Sequence, residues 1–226
     1  MDTKRLISRF ENIIRQLEGI YKTFSDEYFF TEKELNSYFY HLCLSDGSFS
    51  LNGEFNLIHT EYPTPFKCSK EKESPYFMIR PTDSAYVRSH VDLVLLNPNF
   101  IEWIKKYDKP YEYIKGLRNE LFSNYIREFV SRYSEFYHET KETVLLYALG
   151  FNYFRVGYEG AKYPLLDIKQ DVEKLKSVKS FKIGSFMYDE LHFSRKILSL
   201  VFVGDKSKKI LARDLHDDPV VKLISK

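Results

Sequence analysis

The run from Thr143 to Tyr158, TVLLYALGFNYFRVGY, constrains this chain more than any other stretch. It opens on unbroken apolar residues rich in Val, Leu, Tyr and Phe, which is the pattern of a strand covered on both faces. Polar groups enter only at Asn152 and Arg155. A helical segment follows from Asp167 to Ser180, with Leu, Val and Ile spaced for one face. A second buried strand is predicted upstream at Tyr86 to Leu96, YVRSHVDLVLL. Its single acid, Asp92, is costly to bury unless it is paired or binds a metal.

The rest of the chain arranges itself around these two strands. Residues 2 to 24 predict an amphipathic helix, with Leu6, Phe10, Ile13, Ile14, Leu17, Tyr21 and Phe24 on one stripe. Two readings of residues 1–24 stand: a helix packed on its own core, or an arm that builds a homodimer. Thr31 with Glu34 three residues later predicts a capping box and a helix to about Leu44. Phe55 to Tyr62 predicts a strand closed by Pro63 and Pro65, with His59 and Glu61 on a shared face. Residues 66 to 85 predict a charged loop. Asn97-Pro98-Asn99 predicts the start of a helical insert that runs, with interruptions, to Tyr137. Ile197 to Val203, ILSLVFV, predicts a third buried strand, and residues 210 to 226 a short helix or tail.

At 226 residues, one domain spanning 1–226 is expected. The formal net charge of +2 does not by itself announce nucleic-acid binding; that needs charges sorted onto one face. The densest basic cluster is Lys169, Lys174, Lys176, Lys179 and Lys182. It reads either as a solvated helix face or as a ridge that contacts phosphates. Cys43 and Cys68 lack metal-type spacing and read as buried thiols. The charged N-terminus is unlike a signal peptide, and no run approaches the ~20 apolar residues of a membrane span. A cytoplasmic protein is the expectation. There is no Gly-x-Ser-x-Gly elbow, P-loop, dinucleotide fingerprint or His-Glu-x-x-His.

Taken together, HVDLVLLNP, LYALGFNYFR and DIKQDVEKLK resemble the core of the PD-(D/E)XK nuclease superfamily. The likeness extends upstream through HTEYPTP to the helix at Thr31, and so spans residues 31–203. It implies an α/β fold with a restriction-endonuclease-like mixed sheet in the order α-β-β-β-α-β. It also implies Mg²⁺ or Mn²⁺ chemistry on DNA. In the family, one strand brings an aspartate, here Asp92. The next brings an acid and a lysine two residues apart, where this chain has Gly150 and Asn152. Glycine offers no ligand, and asparagine offers a neutral carbonyl and no cation. Glu61 from the first strand, or Glu34 from the preceding helix, is the candidate replacement acid. Lys162 or Lys169 would be the replacement cation, with Arg155 predicted on the wrong face. Three functions follow: a nucleic-acid-binding protein with an inactive or weakened nuclease site, a metal-dependent endonuclease with relocated residues, or a non-catalytic protein-interaction scaffold.

Overall fold

The residues described are 1–29, 31–69, 77–78, 86–114, 128, 130–154, 164–181, 191–203, 213–215 and 217–225 of a computed structural model. Helices α1 (Thr3–Tyr28) and α2 (Glu32–Asp46) come first. The short strands β1 (Ser50–Leu51) and β2 (Phe55–Asn56) pair with each other and lead into β3 (Ile58–Ser69). Next come β4 (Phe77–Met78) and β5 (Tyr86–Leu96), then an insert of α3 (Pro98–Ile104), α4 (Pro110–Ile114) and α5 (Ser131–Thr140). The chain returns through β6 (Leu145–Phe154), α6 (Pro164–Lys179), the paired β7 (Ser180–Phe181) and β8 (Leu191–His192), then β9 (Ser194–Val203) and β10 (Val221–Ile224).

The main sheet is mixed and six-stranded, in the order β10-β9-β6-β5-β3-β4. Strands β3, β5 and β6 form an antiparallel meander, and β9 joins parallel to β6. A parallel neighbour needs a crossover, and α6 lies within it. From α2 onward the principal elements therefore run α-β-β-β-α-β.

The apolar run that opens β6 is buried from Leu145 through Asn152. Alternation then assigns its two faces. Tyr147 and Phe151 face the first two helices, with Phe10 at 5.0 Å and Phe39 at 5.6 Å between ring centroids. Gly150 faces α6, whose Leu175 lies against it. A strand covered this way cannot tolerate charge on either side, which is why its sequence is so uniformly apolar.

The stripe of α1 is spent on the chain's own core. Leu6, Phe10, Ile13, Ile14, Leu17 and Tyr21 are all buried. Lys196 on β9 meets Glu11 at 2.6 Å, and Lys222 on β10 pairs with Glu18, so both sheet strands hold the helix from its polar side. Of the two readings of this helix, the burial supports the one packed on its own core, though Phe24 at the end of the expected stripe is exposed. Helix α2 begins with the expected capping box: Thr31 Oγ1 accepts from the Glu34 N–H, and the Glu34 carboxylate accepts from the Thr31 N–H. Asn97 starts α3 as expected, its Oδ1 accepting from the Asn99 N–H at 2.9 Å. The insert is pinned to β3 by Tyr62, whose hydroxyl donates to the Ile114 carbonyl at 2.7 Å beside the Tyr133 hydroxyl.

Two boundaries differ from expectation. Pro63 and Pro65 do not end β3, which continues to Ser69 and takes in the start of the expected loop. Prolines lack the N–H a ladder needs, and the register shifts between Pro63 and Lys67. The Thr64 hydroxyl restores a donor there, bonding the Ser89 carbonyl of β5 at 2.9 Å. The tail also ends in a strand: β10 pairs parallel to β9 over Val221–Ile224. Cys43 is buried as a free thiol. Among the described residues, no helix is long and apolar enough to cross a membrane.

Candidate functional site around Asp92

The register places the site residues. Thr60 and Tyr62 of β3 pair with Leu93 and Val91 of β5, so Glu61 sits across from Asp92. Leu93 pairs with Leu149, so the next residues outward, Asp92 and Gly150, also oppose one another. Gly150 in turn pairs with Ser199 of β9. Glu61, Asp92 and Gly150 thus form one row across three adjacent strands. The row ends at a bare position. A Cβ built on Gly150 would lie 3.8 Å from Asp92 Oδ2 and 3.0 Å from Leu175 Cδ1. The place where the resemblance asks for an acid therefore opens onto the Asp92 carboxylate, and a leucine methyl of α6 fills it.

Strands β5 and β6 stop pairing at Leu93 and Leu149, while β6 runs on beside β9 to Phe154. The Phe151 N–H beyond that point is taken by a side chain: Asp92 Oδ2 accepts from it at 2.7 Å. That carboxylate thereby satisfies a backbone donor that the departing strand leaves behind. The Glu32 carboxyl, in the first turn of α2, lies toward the Tyr153 N–H, which opposes its upward shift.

The electrostatics are crowded with negative charge. Burial pushes the Asp92 carboxyl up to about 6, with Asp171 and Glu61 adding repulsion; Lys174 and the Phe151 N–H pull the other way. Glu32 is exposed as a residue, yet partial enclosure of its carboxyl, with Asp92 and Asp171 nearby, pushes it up to about 7. Lys174 opposes that shift too. Its Nζ sits 3.0 Å from Asp171 Oδ1, and its side chain is 15% exposed.

Glu61 carries a second mark. Its φ is 51°, in the left-handed region that β-strand residues avoid. A non-glycine residue held there costs about 1–3 kcal/mol, and such strain collects at functional positions. Replacing Glu61 with Gly is expected to raise stability by about 0.5–1 kcal/mol. Urea denaturation reads the change, and a loss of stability would show that the side chain holds the bend.

Several expected residues fall elsewhere. Glu34 caps its own helix, and the acid that α2 turns toward Asp92 is Glu32, two residues earlier. Asn152 is buried and its amide donates to the Ser199 hydroxyl at 3.3 Å. The basic ridge divides. Lys169 and Lys179 are exposed, Lys176 pairs with Glu173 at 2.9 Å and Asp218 at 2.8 Å, and Lys174 turns inward. Lys182, Lys162 and Arg155 lie outside the described residues. The sequence reading missed Glu32 and Asp171. A signal for the second existed: Asp171 and Lys174 are spaced i, i+3, so they share a helix face.

These residues do not fit a divalent ion as they stand. Among the described residues, no group of three or more His, Cys, Asp or Glu is placed to hold a metal. Position 150 supplies no oxygen, and one oxygen of Asp92 is engaged by backbone. Asn36 Oδ1 is buried beside this strand with no hydrogen-bond donor, but one neutral oxygen does not replace a carboxylate. Comparison with protein-family models, with curated proteins and with solved structures finds no match to this chain.

Proposed function

We propose that this chain is a nuclease-like domain of the PD-(D/E)XK type that binds nucleic acid and has lost efficient phosphodiester cleavage. The row Glu61–Asp92–Gly150, set in an α-β-β-β-α-β order, carries this reading. It has an aspartate on the second meander strand and no side chain where the next strand should bring an acid. The exposed Lys169 and Lys179 on α6 are the groups that would meet phosphates. Mg²⁺ or Mn²⁺ plays no part in this reading, since cleavage needs an ion to polarise the phosphate and activate water.

The test is a titration of labelled duplex and single-stranded DNA, with anisotropy read across a salt series. Binding is expected to weaken as salt rises. The double variant Lys169→Ala, Lys179→Ala is expected to lower the slope of log K against log salt by about 1–2, one step per lost phosphate contact. Cleavage with Mg²⁺ or Mn²⁺ is expected to be negligible and unchanged in Asp92→Ala. A second reading is favoured by the acids gathered on Asp92 from α2, β3 and α6: an endonuclease with relocated residues. Robust metal-dependent cleavage that disappears in Asp92→Ala would establish it. Salt-independent failure to bind any nucleic acid would instead leave a protein-interaction scaffold.

A further inference from the structure

We infer that Lys174 is a built-in cation that occupies the electrostatic role of a divalent ion beside Asp92, so that this site is closed to metal by its own chain. The inference rests on reading the Glu61–Asp92–Gly150 row as a former metal site.

The geometry begins at Gly150. With no Cβ, that position lets α6 settle close to the sheet, and Leu175 Cδ1 comes within 3.0 Å of where a Cβ would be. Leu175 is fully buried there. The residue before it, Lys174, is thereby carried into the cluster with only 15% of its side chain exposed. Its Nζ holds Asp171 at 3.0 Å. Both Asp92 and Glu32 feel its positive charge, and both feel the negative charge of Asp171. A half-buried carboxylate with like charges close by calls for either a proton or a counter-charge. A metal ion is one solution and a tethered ammonium is another. Here the ammonium is part of the chain, and the acid that would have completed a metal's ligand set is the residue whose absence lets the helix approach.

The two solutions exclude each other. A dication entering beside Asp92 meets the positive charge of a largely covered lysine, and that repulsion weakens its binding. Removing the charge while keeping the apolar stem should therefore admit the ion.

The experiment is Mn²⁺ titration by calorimetry on the full chain, with circular dichroism to verify the fold. Wild-type protein is expected to bind Mn²⁺ only at millimolar levels or weaker. Lys174→Met is expected to tighten Mn²⁺ affinity about tenfold, and Lys174→Arg to behave as wild type. Adding Asp92→Asn to Lys174→Met should remove the gain, which assigns it to this site. Tight Mn²⁺ binding by wild type that depends on Asp92 overturns the inference. So does a folded Lys174→Met with unchanged affinity, or a Lys174→Arg that gains as much as Lys174→Met. If Lys174→Met does not fold, the wild-type and Lys174→Arg titrations still decide the matter through their dependence on Asp92. DNA binding measured without metal tests the nucleic-acid reading separately: a chain that ignores DNA yet gains Mn²⁺ on losing Lys174 removes that reading and leaves this one.

Discussion

Phe10→Ala is expected to lower the unfolding free energy by about 3–5 kcal/mol. The ring is fully buried, and three other rings surround it: Phe39 at 5.3 Å, Phe49 at 6.1 Å and Tyr147 at 5.0 Å. Two of these contacts are edge-to-face, which adds to the simple burial of area. Truncation leaves a void between α1, α2 and β6 that these elements cannot close without shifting the helix. Urea denaturation measures the loss, and its midpoint should not depend on protein concentration, because the stripe serves its own core. A loss below about 1 kcal/mol, or a midpoint that moves with concentration, would return α1 to the status of an arm.

Asp92→Asn is expected to make the protein more stable than wild type at pH 8, by on the order of 1 kcal/mol. The sign follows from the direction of the shift. The folded-state carboxyl titrates near 6, above its ordinary value of 3.8. The folded chain therefore holds this proton more tightly than the unfolded chain. That contribution is complete below about pH 4 and is lost as pH rises through 6. Wild-type protein should gain stability as pH falls from 8 to 5, and Glu32, titrating near 7, should steepen the same limb. Asparagine keeps an acceptor for the Phe151 N–H and has no charge to desolvate. The variant's advantage should therefore shrink as pH falls through 6 and vanish by about pH 4. Chemical denaturation at half-unit pH steps reads both curves, and parallel curves would show that Asp92 is not strained in its ionised form.

Much of the architecture was legible in the sequence because periodicity and turn chemistry are local. The β6 run, the Thr31–Glu34 box and the Asn97 cap each announce themselves within a few residues, and each is found where expected. The strand β10 was not legible: four residues after an Asp-Asp-Pro turn carry too little period to separate a strand from a tail. The prolines of β3 misled for a related reason. A proline speaks about its own N–H, whereas Thr64 repairs the ladder with a side chain, and no pattern of spacing shows that.

The site was legible only along strands. Register arithmetic set Glu61 and Gly150 beside Asp92, since both lie on strands adjacent to it. Glu32 and Asp171 reach the same place from two different helices, and the angle of each helix on the sheet is decided by packing. Lys174 is the plainest case. In sequence it is one lysine among several, and its neighbour Leu175 settling on Gly150 is what turns it inward.

Residues 18 and 222, joined by the Glu18–Lys222 ion pair, are separated by 204 positions. Translation therefore delivers the opening helix long before the strand it rests beside exists. Part of the helix's apolar face meets Phe39 and Phe49 soon after it is made, but Tyr21 rests on Phe202, so the far end of α1 completes its contacts only after β9 emerges, across a long loop whose closure slows that step.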